Sequence, residues 1–115
     1  MLTLNQAQAI AAAAAAEAES LGMPVAVVDH CYGTVFALRQ DGAKHTSIAT
    51  ARSSAEPAAM AAQEREYLVR PEEAAWPGGG LAIHLSGRLA GGVGVCGAQP
   101  EVNERVARAG LSALV

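Results

Sequence analysis

Leu81-Ala82-Ile83-His84-Leu85-Ser86-Gly87-Arg88-Leu89-Ala90-Gly91-Gly92-Val93-Gly94-Val95-Cys96 decides the fold. Leu81, Ile83 and Leu85 alternate with Ala82, His84 and Ser86, the period of a half-buried strand. Ser86-Gly87 is a two-residue hairpin signal. Leu89 to Cys96 reads as the returning strand. Its glycines 91, 92 and 94 weaken a strand unless another backbone packs against it. Alanine-rich helices meet that demand, and this chain has them. Alanine and glycine supply about a third of its 115 residues, and aromatics only 3%.

Working outward, Trp76-Pro77-Gly78-Gly79-Gly80 is a glycine-rich loop before the hairpin. After it, Pro100 suits the first position of a helix, and Glu101 suits its N-terminus. Val102, Val106, Ala109 and Ala113 predict the apolar stripe of that helix. Pro24 to Asp29 and Thr34 to Leu38 read as an earlier hairpin, with Asp29-His30-Cys31-Tyr32-Gly33 as its turn. There Asp29 can bond its own backbone further on, and Gly33 is the expected positive-φ residue. The first helix is capped by Thr3, with Gln6 in the capping-box position. Leu4, Ala7, Ala11, Ala14, Ala18 and Leu21 form its stripe, and Gly22 is expected to end it. A second helix is expected from Thr46 to about Ala55, capped by Thr46 or Ser47 and broken or kinked at Pro57. Ala58 to Ala75 reads as one or two short helices with a second break at Pro71. This order predicts one α+β domain over residues 1–115, an antiparallel sheet flanked by helices.

Composition narrows the function. Charged residues are 17%, hydrophobic residues 51% and the net charge is −3, the profile of a globular chain without attraction for phosphate backbones. No nucleic-acid partner is expected. The longest apolar stretch, Ala9 to Ala16, is too short to span a membrane. No Lys or Arg precedes it as in a secretory leader, so a cytoplasmic chain without a membrane partner is expected. Cys31 and Cys96 read as free thiols. A core of small side chains buries little area per residue, so self-association, as a homodimer or higher oligomer, is expected.

Three ordered stretches carry a resemblance. They are Leu21 to Asp29 followed by Gly33; Asp41-Gly42-Ala43 with Ser47-Ile48-Ala49 and Ala51-Arg52; and Gly79 to Ile83 with Gly87, Gly91 to Gly97, Pro100-Glu101 and Ala109-Gly110-Leu111. In order and spacing, from Leu2 to Val115, the chain resembles the GlcG/HbpS family, the haem-degrading domain family. The resemblance implies a profilin-like or PAS-like fold with a sheet of about five strands. It implies dimers or larger assemblies, and binding of haem or a related tetrapyrrole in some members. The chain departs from the family in its second helix, where Ser54, Glu56 and Pro57 replace the usual lysine, aromatic and threonine.

Four residues are candidates for a haem site. His84 can supply an axial imidazole, or be a surface or interface histidine. His30, beside Cys31, has metal-binding chemistry or is an ordinary turn residue. His84 and His30 are thus the metal candidates, whereas His45 sits in a polar loop. Arg52 can hold a propionate, or pair with an acidic residue across a subunit interface. Trp76 can stack on a flat ligand or plug the core. No nucleophile elbow or Cys-His spacing marks a catalytic group. The reading is a small-ligand-binding homo-oligomer, with haem the implied ligand. An enzyme acting on a small organic acid and an accessory assembly subunit are the alternatives.

Overall fold

A computed structural model of the chain describes residues 2–19, 21–65, 75–76 and 79–114. Helix α1 (Leu4–Ala18) is followed by strands β1 (Pro24–Asp29) and β2 (Thr34–Arg39). Helix α2 (Ser47–Arg65), strands β3 (Ala75–Trp76), β4 (Gly80–Leu85) and β5 (Arg88–Val95), and helix α3 (Pro100–Leu111) complete the domain, with a 3-10 turn at Ser112–Leu114. The sheet runs β2-β1-β5-β4-β3, antiparallel throughout. This is the expected α+β fold.

The capping box at α1 forms as its sequence dictates. Thr3 accepts from the Gln6 amide at 3.1 Å, and the Gln6 side chain accepts from the Thr3 amide at 2.9 Å. The buried stripe is Ala7, Ile10, Ala11, Ala14 and Ala18. Leu4 and Leu21, expected in it, are exposed. The helix stops before Gly22, because Glu19 takes a φ of 51° and Gln40 reaches in from the end of β2. The Gln40 amide donates to the carbonyls of Ala15 and Glu19, each at 3.0 Å, and accepts from the Met23 amide at 3.0 Å. The Ala15 carbonyl, which already accepts from the Glu19 amide at 3.0 Å, thus gains a second donor, and the Glu19 carbonyl beyond the helix end gains a partner from the same side chain.

Helices α1 and α3 cover one face of the sheet with Val25, Val27, Leu81, Ile83, Val93 and Val95. The buried face of α3 is Asn103, Val106, Ala107 and Gly110, turned slightly from the expected stripe. The reason is Gly110, which lets α3 sit directly on α1. A Cβ there would lie 2.9 Å from the Ile10 carbonyl oxygen. Pro100 does open the helix.

Helix α2 covers the other face, and here the glycines of β5 act. A Cβ on Gly94 would lie 2.0 Å from the Ala51 carbonyl oxygen, and one on Gly92 would lie 2.3 Å from that of Ala55. The helix backbone itself rests on the strand, with Ala51, Ala55, Ala58 and Ala59 buried beneath it. That packing decides against a break, the first of the two outcomes expected at Pro57. Pro57 removes one intrahelical bond, yet α2 continues through it to Arg65, because the alanine face keeps its seat on the sheet. The expected break at Pro71 and residues 66–74 lie outside the described residues. Among the described residues, no helix is long and apolar enough to cross a membrane.

Candidate functional site

Two ends of the sheet hold the candidate residues. At the first, Asp29 closes β1 and builds the turn. Its carboxylate accepts from the Cys31 amide at 2.9 Å and from the Gly33 amide at 3.0 Å. Tyr32, not Gly33 as expected, takes the positive φ, at 65°. His30 and Cys31 are carried outward on this turn, exposed. On β4, His84 is half-buried, just past an irregularity between Ile83 and His84, and pairs with Leu89 of β5. The following turn, Ser86-Gly87, has φ of 53° and 78°, the two positive angles of a type I′ hairpin.

Asp29, Gly91 and Ile83 form one rung across β1, β5 and β4. His30 and His84 therefore leave the sheet at the same end, with β5 between their strands. Two interstrand spacings separate them, about 10 Å. Alternation along β4 puts His84 on the α2 side of the sheet, away from Leu81 and Ile83. The described residues contain no cluster of three or more His, Cys, Asp or Glu able to hold a metal ion.

Arg52 is not brought to these histidines. It lies on α2 beside Ala51, which rests over Gly94, five residues along β5 from the partner of His84. That is about 16 Å of strand. Its guanidinium is held within the helix by Glu56, with Nε 3.0 Å from Oε1 and a terminal nitrogen on the same oxygen. Both side chains are part-exposed and line a shallow hollow with Ala49 and Ser53. Trp76 occupies β3, the edge strand, paired with Gly80. Its side chain lies outside the described residues.

The opposite end of the sheet holds a cleft that the sequence did not announce. Its volume is about 430 Å³, between the loop at Gly42 to Lys44, the start of α2 and the exit of β5 at Cys96-Gly97. Ser47 is 9% exposed, and its hydroxyl oxygen is buried with no hydrogen-bond partner. It makes no capping bond, contrary to one reading of the helix start. The Cys96 thiol donates to the Ser47 carbonyl at 3.7 Å. Burial pushes that thiol above its ordinary value of 9.0, so it stays protonated at neutral pH. The sequence offered only Ser47 as a cap and Cys96 as a thiol. Their meeting depends on tertiary structure.

The family model for haem-degrading proteins of the HbpS-like type matches residues 2–112. The chain belongs to the HbpS-like family. A crystal structure of HbpS is 31% identical, with a TM-score of 0.76 over 99% of this chain and 90% of that one. A double mutant of HbpS from Streptomyces reticuli is 30% identical, with a TM-score of 0.76 over 99% of this chain and 87% of that one. Protein ORFY of Klebsiella pneumoniae is 25% identical, with a TM-score of 0.79 over 98% of this chain and 90% of that one. A complex of PduOC with heme, 24% identical, shares the fold at a TM-score of 0.77, covering 97% of this chain and 94% of that one. No curated protein matches this HbpS-like chain.

Proposed function

We propose that this HbpS-like protein binds haem, or a related tetrapyrrole, with His84 as the axial ligand and a second copy of the chain completing the site. The family match over residues 2–112 carries this reading. The HbpS structures and the haem-bound neighbour of the same fold support it.

The residues present fit half of such a site. The His84 imidazole is half-buried on a strand, so its ring is positioned before any ligand arrives. An imidazole nitrogen is a standard axial donor to haem iron. His30, on the turn at the same end of the sheet, is the second nitrogen donor. Four hollows among the described residues measure 230 to 460 Å³, and neither His84 nor His30 lines any of them. Both histidines sit at one open end of the sheet, where a second copy of the chain would complete the site. Bound iron would supply redox chemistry, which these side chains lack. Arg52 takes a propionate only by exchanging one carboxylate for another, since Glu56 already occupies it. Trp76 is the proposed stacking surface.

A haemin titration of the purified protein, followed at the Soret band, tests this. A saturable shift, lost in His84→Ala and weakened in His30→Ala, is expected. Sedimentation with and without haemin reads the copy number. A shift that every histidine variant retains would refute imidazole ligation, and saturation with a strictly monomeric species would refute the shared site.

A further inference from the structure

We propose that Arg88 holds a carboxylate of the tetrapyrrole bound at His84, so that the site selects the free acid over its esters. The inference rests on the haem reading above and adds the group that fixes the charged edge of the ligand.

The sequence isolates this residue. From Ala74 to Pro100, through β3, β4 and β5, Arg88 is the sole charged residue. It stands at the tip of the hairpin that carries His84. Leu85 pairs with Arg88 and His84 pairs with Leu89, so the Cα atoms of His84 and Arg88 lie about 6 Å apart on adjoining rungs. The two-residue turn at Ser86-Gly87, with φ of 53° and 78°, fixes that relation.

Charge makes Arg88 available. Arg52, Arg105 and Arg108 are each tied to a glutamate. Arg39 lies across from Pro24 at the opposite end of the sheet, where Lys44 also stands. Arg88 is exposed, and among the described residues it has no ion pair and no side-chain hydrogen bond. At its own end, the Asp29 carboxylate is engaged by the Cys31 and Gly33 amides. A Cβ on Gly87 would meet nothing within 4 Å, so the turn stands clear of the rest of the chain.

A tetrapyrrole carries its carboxylates at one edge of the ring, away from the metal. The cation that meets them must stand beside the axial ligand, not in line with it. Paired residues share a face of the sheet, and Leu85 packs against the core under α1 and α3. Arg88 therefore leaves the hairpin on that side, and His84 leaves it on the α2 side. A planar ligand set across the open end of the sheet meets the imidazole from one side and the guanidinium from the other. The guanidinium donates two parallel N–H groups to a carboxylate, a geometry that an ester cannot repay with charge.

Titration with haemin and with haemin dimethyl ester, in one detergent-containing buffer, tests the assignment. The wild type is expected to bind the free acid about fivefold more tightly, the upper range for an exposed ion pair. Arg88→Gln is expected to lose that preference, with its ester affinity and melting temperature unchanged. Arg88→Lys is expected to keep part of the preference, and high salt to shrink it. His84→Ala, by contrast, is expected to lose both ligands. Wild-type affinity for the free acid in Arg88→Gln overturns the proposal. So does an equal loss of both ligands in Arg88→Gln, or a preference abolished in Arg52→Gln and kept in Arg88→Gln. A wild type that binds neither ligand refutes the haem reading itself, and this assignment with it.

Discussion

Adding one methyl group at Gly94 is the sharpest test of how α2 sits on the sheet. The new carbon would meet the Ala51 carbonyl oxygen at 2.0 Å and the Ala55 amide nitrogen at 2.6 Å. Ordinary contact begins at 3.4 Å, so Gly94→Ala requires α2 to rise by about 1.4 Å. A rise of that size strips the buried faces of Ala51, Ala55, Ala58 and Ala59 of much of their dispersion contact, since a gap of about 1 Å already forfeits up to half of it. Overpacking in a core costs about 1–3 kcal/mol. With backbone as the obstructing group, the upper value of about 3 kcal/mol applies, because no rotamer relieves it. An unfolding entropy of about 2.1 cal/mol/K per residue converts this to a fall of about 12 °C in the melting temperature of a chain this long. Circular dichroism melting and urea titration measure it. Ala51→Gly in the same chain is not expected to rescue the variant, because the clash is with a carbonyl oxygen. Gly33→Ala is the control, since its Cβ would meet only the Asp29 carboxylate at an ordinary 3.5 Å. It is expected to stabilise by about 0.4–1 kcal/mol through the unfolded chain. If Gly94→Ala melts within about 2 °C of the wild type, a cost below about 0.5 kcal/mol, the account of α2 packing is wrong.

Gln40→Ala removes three hydrogen bonds at the end of α1 and is expected to cost about 3 kcal/mol. Faster hydrogen exchange at the Met23 amide would locate the loss, and unchanged exchange there would contradict it. The folded Cys96 thiol titrates above the unfolded value of 9.0, so its contribution is present below pH 9.0 and fades as pH rises through the folded pKa. Melting temperatures from neutral pH to about pH 10 should therefore fall more steeply in the wild type than in Cys96→Ala; parallel slopes would count against burial of the thiol. Arg52→Ala is expected to cost less than about 0.5 kcal/mol, because its partner is four residues away on a part-exposed helix face. A loss above about 1 kcal/mol in urea titration would mean that Arg52 has a further partner in the assembly.

Local rules made much of this fold legible. The Thr3–Gln6 box, the Ser86-Gly87 turn and Pro100 at a helix start each act within a few residues, and each formed as read. The glycines of β5 demanded a close backbone, and α2 supplies it. Pro57 does not break α2, because its local cost is outweighed by a packing surface that sequence spacing does not display. Glu19 and Tyr32 take left-handed angles that neither residue type advertises. The candidate site divided in the same way. His84 showed its strand face through alternation, whereas the Arg52–Glu56 pair along α2 was not read from the sequence, and the Ser47 cleft joins segments some 50 residues apart. No periodicity encodes such a meeting.

The position of β5 bears on how the domain is made. The inner partner of β1 comes late in the chain, because Asp29 and Gly91 are 62 positions apart and Val25 and Val95 are 70. Closing such distant pairs costs chain entropy before their contacts repay it, and folding slows accordingly. A growing chain that has reached residue 87 holds two separate strand pairs, β1 with β2 and β3 with β4, whose inner edges are still bare until β5 joins them. Its two alanine-rich helices then have no finished sheet to rest on. Commitment to the native structure waits for the last quarter of the domain, and until then the valines of β1 are exposed to any other unpaired strand nearby.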